Sequence, residues 1–269
     1  MISYKCPVCE SALEICGKSY ICKNRHTFDI AKEGYVNFAL GKSESGDSTE
    51  MCLSRREFLS KGYYAPFAKL ICDTLKKHCD VSALCDAGCG EGYYLREIRK
   101  SFPEAELFGI DLAKEAIKLA AKSEKQSTLK KNTYSVCGIF SLPFDDNTLD
   151  AVISVFAPVG DAENLRVLKN GGFMLVAGPG KTHLSGLKSA IYERPYENEE
   201  KHREYQGFTY IGKESVTYTE KVYGRDILDL FAMTPYYWKT SKEDSAKLSR
   251  LSELETELSF EISVYKAEK

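Results

Sequence analysis

The 269-residue chain has no apolar run near the roughly 20 residues that cross a bilayer, and its first residues lack a basic stretch leading into an apolar one. A membrane-spanning protein and a secreted precursor are therefore not expected, and the expected compartment is the cytoplasm. Excess charge is also missing: 37 Lys and Arg stand against 39 Asp and Glu, a net charge of −2. Indiscriminate nucleic-acid binding rests on many cation–phosphate contacts and is not expected, so any RNA contact must be local or selected by shape. The stretch richest in Lys, residues 96–131, interleaves its cations with acids and reads as a solvated helix face. With 43% hydrophobic and 28% charged residues, the composition is that of a globular protein with one large core or one core plus a small module.

What the chain does have is cysteine, ten in all. In a reducing compartment a disulfide framework is not expected, so some of them need another reason. Cys6, Cys9, Cys22 and His26 form C-x2-C-x12-C-x3-H, a spacing suited to four tetrahedral ligands on one Zn²⁺. Tyr20-Ile21 and Phe28-Asp29-Ile30 read as short strands between and after the two ligand turns. About 40 residues bury too little apolar surface to fold alone, and a metal supplies the missing free energy. Four protein ligands leave no open position for water, so the zinc is expected to be structural. Cys16 is a weaker ligand, since its use leaves Cys22 or His26 idle. Tyr4, Lys5, Lys18, Lys23 and Arg25 are expected to be exposed and are candidates for RNA contact; a ribbon that merely packs on its own enzyme domain is the competing reading.

The second signal is Asp86-Ala87-Gly88-Cys89-Gly90-Glu91-Gly92, which follows an apolar run and opens a helix. Alternate glycines allow a tight turn and close approach to a ligand, while the helix start offers free N–H groups. The spacing differs from the dinucleotide fingerprint G-x-G-x-x-G. It resembles motif I of Rossmann-like S-adenosylmethionine (SAM) methyltransferases. Asp111 ends the next apolar run, about 20 residues on, where an acceptor for ribose hydroxyls belongs in this class of fold. Short apolar runs at Leu84–Asp86, Leu107–Asp111, Tyr134–Cys137, Ala151–Val155 and Phe173–Ala177 alternate with helix-length segments such as Lys114–Lys122. That alternation predicts an α/β, doubly wound Rossmann-like sheet with its ligand beyond the carboxyl ends of the strands.

Between the two lies a Gly- and Ser-rich connection, residues 41–49, after which Asp47 or Ser48 caps a predicted helix over 50–59 that Gly62 ends. The expected division is a zinc-binding module over 1–40, a linker and helix over 41–63, and a SAM-dependent methyltransferase domain over 64–269. Cys6-Pro7-Val8-Cys9, Arg25-His26-Thr27-Phe28-Asp29, Glu33-Gly34-Tyr35-Val36-Asn37, Gly46-Asp47-Ser48-Thr49, Arg55-Arg56-Glu57-Phe58-Leu59, Gly62-Tyr63-Tyr64 and Gly178 to Leu184, together with the glycine turn, make the chain similar to the 23S rRNA guanine-N1 methyltransferases. The resemblance runs through nearly the whole chain and weakens after about Tyr192. It implies SAM-dependent methylation of N1 of a guanine in a hairpin of 23S rRNA domain II, a zinc module that aids RNA recognition, a homodimer, and SAM contacts from Tyr64 and His183.

Residue by residue, the expected cofactor set is Tyr64, Asp86, Gly88, Gly90, Glu91, Gly92, Asp111, Leu142 and His183. Gly88 and Gly90 face the methionine part, Asp86 or Glu91 its ammonium, and Asp111 the ribose. Residues 138–144 wall the adenine through backbone groups of Phe140 to Leu142, because Gly138 stands where many SAM enzymes carry an Asp. Phe156-Ala157-Pro158-Val159-Gly160 is an apolar loop suited to stacking a base. Asp161 and Glu163 just beyond it are weak candidates for the general base, with a helix-capping role the competing reading for Asp161. Thr217–Val222 and Phe260–Tyr265 show strand alternation, and the aromatic-rich second half serves the core, stacked RNA bases, or both. The Met233–Tyr236 turn has no location assigned. A methyltransferase acting on a small molecule and a non-catalytic zinc-dependent RNA-binding protein are the rival readings; the zinc module and linker count against the first, the intact glycine turn against the second.

Overall fold

A computed structural model describes residues 2–41, 48–199 and 203–269; most of the Gly/Ser connection, residues 42–47, lies outside them, as does Asp47. The N-terminal segment forms β1 (Leu13–Cys16), β2 (Ser19–Cys22) and β3 (Thr27–Asp29), an antiparallel sheet, followed by β4 (Val36–Asn37). Next come α1 (Thr49–Ser60), α2 (Ala65–His78), β5 (Ala83–Ala87), α3 (Tyr93–Ser101), β6 (Glu106–Asp111), α4 (Lys114–Glu124) and β7 (Thr133–Val136). The rest is β8 (Leu149–Val155), α5 (Asp161–Val167), β9 (Leu168–Pro179), α6 (Ser185–Ile191), β10 (Phe208–Tyr223), α7 (Arg225–Ala232), α8 (Tyr236–Lys239), α9 (Lys242–Leu248) and β11 (Glu253–Ala267). Ser48 supplies the α1 cap, its hydroxyl accepting from Met51 N–H at 3.2 Å.

The large sheet has eight strands in the order β10-β11-β9-β8-β5-β6-β7-β4. Strands β4 to β9 are parallel, β11 runs against β9, and β10 runs against β11. The five central strands are those expected from the apolar runs, and each is buried because helices cover both faces. Chain order reverses between β5 and β8, since β6 and β7 lie on one side of β5 while β8 and β9 lie on the other. A crevice opens at the carboxyl ends of strands at such a reversal.

The zinc-binding segment is not an appendage. β4 pairs with β7, Val36 opposite Ser135 and Asn37 opposite Val136, which makes the N-terminal segment the edge of the large sheet. Lys5 N–H donates to Pro143 O at 2.9 Å. Tyr4, expected on the surface, is 3% exposed: its ring meets Phe38, Phe108 and Phe144 at centroid distances of 4.9, 5.9 and 5.6 Å. An aromatic at this position serves the shared core, and it is not an RNA contact. Lys5 is partly covered and pairs with Glu10 at 3.7 Å, whereas Lys18, Lys23 and Arg25 are exposed.

Candidate active site and metal centre

Turns at 6–9 and 22–26 bring together the four residues that the spacing singled out: the ligand atoms of Cys6, Cys9, Cys22 and His26 all lie within 4.8 Å of one another. Cys9 Sγ stands 3.7 Å from Cys22 Sγ, and His26 Nδ1 stands 3.5 Å from Cys6 Sγ and 3.4 Å from Cys22 Sγ. A tetrahedron with Zn–S of about 2.3 Å and Zn–N of about 2.0–2.1 Å has edges of roughly 3.8 Å between sulfurs and 3.6 Å between sulfur and nitrogen, so the set fits zinc with every position filled by protein. The Ser11 hydroxyl and backbone N–H hold the Cys9 thiol down at about 5, in the thiolate form a metal takes. Cys16 is exposed at the end of β1, outside the cluster.

At the β5/β8 crevice lies a cavity of about 640 Å³, walled by the glycine turn, the start of α4, residues 155–158, and a roof from α1 and residues 233–238. Asp111 braces the turn: Gly90 N–H donates to its Oδ2 at 2.9 Å and Ala113 N–H to its Oδ1 at 2.7 Å. Asp111 also faces the cavity, so the carboxylate that braces the turn borders the ligand space. Gly88 is required by close approach, because a Cβ there falls 2.4 Å from Ala157 Cβ on the opposite wall. Asp86, fully buried at the end of β5, has no hydrogen-bond partner on either oxygen, and burial, with the charge of Asp111, pushes its carboxyl up to about 8. Glu91 Oε1 is likewise without a partner, while its Oε2 takes Arg96 at 2.8 Å.

The unpartnered oxygens of these two buried acids call for a hydrogen-bond donor. A ligand with an ammonium, a sulfonium and ribose hydroxyls supplies it, and the residues present fit SAM. Tyr64 and His183 also meet in the cavity wall, Tyr64 Oη 3.4 Å from His183 Nε2. Burial, aided by Lys188, pulls His183 down to about 3, so its imidazole is neutral. Phe156 follows β8 with φ +54, a strained value for a residue with a side chain, and is 47% exposed at the cavity. Ser154 Oγ lies 3.1 Å from both Ala157 O and Pro158 O and ties this loop down.

Five expected site residues do not line the cavity; Asp86 is one, fully buried beneath the glycine turn. A Cβ on Gly92 would meet Tyr134 Oη at 2.6 Å, so this glycine serves packing at the start of α3 and does not line the cavity. Leu142 is buried outside the wall, and its N–H already donates to Glu163 Oε1 at 2.6 Å; Ile139 and Phe140 line the cavity instead. Glu163 also takes Arg166 at 2.7 and 2.9 Å, so its carboxylate holds the 142–144 loop and is not in the cavity wall. Asp161 opens α5 after the Gly160 cap and is not in the wall; its charge suits a helix start. Met51, Arg55 and Trp238 were missed as wall residues. Arg55 Nη2 donates to Met233 O at 3.4 Å, which locates the Met233–Tyr236 turn in the roof.

The zinc-ribbon family described as "RlmA, N-terminal" matches residues 4–39, and the family described as "Methyltransferase domain" matches residues 78–231. The chain belongs to the methyltransferases that carry this N-terminal zinc ribbon. SAM and structural zinc are its cofactors. This methyltransferase is 29% identical over 259 residues to the "23S rRNA (guanine(748)-N(1))-methyltransferase" of Streptomyces fradiae, a match covering 93% of this chain and 90% of the relative. It is also 29% identical over 270 residues to the "Putative 23S rRNA (guanine-N(1)-)-methyltransferase YxjB" of Bacillus subtilis (strain 168), covering 94% of this chain and 92% of the relative. Among the described residues no helix is long and apolar enough to cross a membrane.

Proposed function

We propose that this methyltransferase transfers the methyl group of SAM to N1 of a guanine in a hairpin of domain II of 23S rRNA. The observation that carries the reading is that a closed zinc cluster and a SAM-type cavity stand on one chain that aligns, over about nine-tenths of its length, with relatives named for that reaction. We assign RNA recognition to the module within residues 1–40, the connection and first helix to 41–63, and catalysis to 64–269. The reading also takes the enzyme to be a cytoplasmic homodimer, as the sequence resemblance implies.

Bound SAM supplies a methyl group already activated by its sulfonium. The chain's own residues then position the partners. Asp86 and Glu91 receive the ammonium, Asp111 the ribose hydroxyls, and Tyr64 and His183 close the wall beside the reacting end, with the glycine turn allowing backbone approach. Phe156, aimed by its strained backbone and by Ser154, stacks the target base so that N1 reaches near-attack distance, roughly 3–3.5 Å. Guanine N1 is protonated at neutral pH, and its proton must leave to a base or to water; the engagement of Glu163 with Leu142 N–H and Arg166, and the place of Asp161 at the start of α5, favour water. The target in a hairpin is extruded before reaction, at a cost of a few kcal/mol.

Labelled methyl transfer to the protein-free hairpin, digested to nucleosides, tests the reading. It predicts 1-methylguanosine as the labelled product. Label recovered in another nucleoside, or only in small molecules of a cell extract, would count against it.

A further inference from the structure

We propose that Trp238, with Lys239 and Lys242, forms a landing platform for an unpaired nucleotide next to the one that enters the cavity; this rests on the RNA reading above. Trp238 lines the cavity and is nevertheless 62% exposed, so it stands at the mouth. Its neighbours are committed inward: Tyr236 is buried in the wall, and Tyr237 donates its hydroxyl to Glu50 Oε2 at 3.3 Å. Trp238 itself is held without being covered. The indole N–H reaches Met51 Sδ at 3.2 Å, and the Tyr237 ring packs edge-on at 5.1 Å. A large aromatic surface fixed in place and left open loses little conformational entropy when a ligand stacks on it.

Charge points to the same occupant. Lys239 follows Trp238 directly and Lys242 opens α9, both exposed, and neither meets an acid among the described residues. An aromatic face beside cations suits a nucleotide, whose base stacks while its phosphate takes the cation. Bases inside a duplex have both faces covered by their neighbours. Extrusion of the target guanine uncovers a face on each flanking nucleotide, and stacking on Trp238 offsets part of the extrusion cost. The platform thereby favours loops over paired stems.

Trp238 is the chain's single tryptophan, so fluorescence excited at wavelengths beyond tyrosine absorption reports this position alone. With the protein saturated with S-adenosylhomocysteine, a hairpin bearing an unpaired loop should quench that fluorescence saturably, and a fully paired duplex of the same length should not. Trp238→Ala should raise KM for the hairpin by roughly 5- to 150-fold, the range for one lost base–aromatic stack, far more than it changes the SAM dissociation constant. Trp238→Phe should recover most of the loss. If the intact protein methylates the hairpin and Trp238→Ala leaves KM unchanged, the platform is wrong and the RNA reading stands. A parallel loss of SAM affinity would mean that the ring covers the cofactor, which also overturns the proposal. If the intact protein does not methylate the hairpin, the RNA reading falls and the platform with it.

Discussion

Replacing Asp111 by Ala separates two jobs that one carboxylate performs. Its oxygens take the Gly90 and Ala113 N–H groups at 2.9 and 2.7 Å, and the same carboxylate faces the cavity, where it is assigned the ribose hydroxyls. A hydrogen bond to a charged group contributes about 1.5–3 kcal/mol, and the partly exposed setting of Asp111 lets water recover part of each; the net loss on removing it is about 2–4 kcal/mol. SAM should therefore bind roughly 30- to 1000-fold more weakly to Asp111→Ala, as read by titration calorimetry. An S-adenosylhomocysteine analogue lacking the 2′- and 3′-hydroxyls identifies the cause. It should bind the natural protein weakly and lose little more in Asp111→Ala, because the interaction is already gone, and such non-additivity is the mark of direct contact. Equal losses for the two ligands would mean that Asp111 acts only through the turn, and an unchanged SAM affinity would remove it from the site.

The other expectations concern the acid under the turn, the adenine loop and the metal. Folded protein keeps the Asp86 proton up to about pH 8 whereas an unfolded chain releases it near pH 3.9, so the folded state binds more protons in between. Stability of the cofactor-free protein should fall as pH rises through that window, by at most about 1.4 kcal/mol per pH unit from this group, and Asp86→Asn should flatten the thermal-melting profile; an identical profile would contradict the buried, unpartnered carboxyl. Arg166 donates to Phe144 O at 2.8 Å and Leu142 O at 3.0 Å besides gripping Glu163. Arg166→Ala should weaken SAM binding by roughly 5- to 30-fold through a loosened adenine loop, and unaltered binding would place the loop's rigidity elsewhere. Cys22→Ser should abolish the bound zinc seen by elemental analysis. Because Cys6 and Cys22 sit in one buried cluster with Phe108 and Phe144, it should lower a single unfolding transition of the whole chain; a separate early transition would show an independent module.

Parts of the site that depend on neighbours in sequence were legible before the fold was seen. The zinc ligands lie on two short turns, and the glycine turn and Asp111 end adjacent parallel strands, so spacing alone brings them together. Residues whose roles come from tertiary packing were not legible. Arg55 meets Met233, and Trp238 meets Met51, across 178 and 187 residues, and no periodicity connects such pairs. Tyr4 misled because a short metal module reads as a surface, whereas β4 stitches this one into the large sheet and turns its face into core. Glu163 carried an overlooked signal: an Arg three residues on, at helical spacing, is a ready partner for an acid that was given a catalytic role.

The most direct test of the central claim is to incubate the protein with SAM and 23S rRNA from a strain lacking its own N1-guanine methyltransferase, then map primer-extension arrests. The account predicts a new, SAM-dependent arrest at one guanine in a domain II hairpin. Unimpeded extension through that hairpin, by a protein shown in the same preparation to bind SAM and zinc, would contradict it.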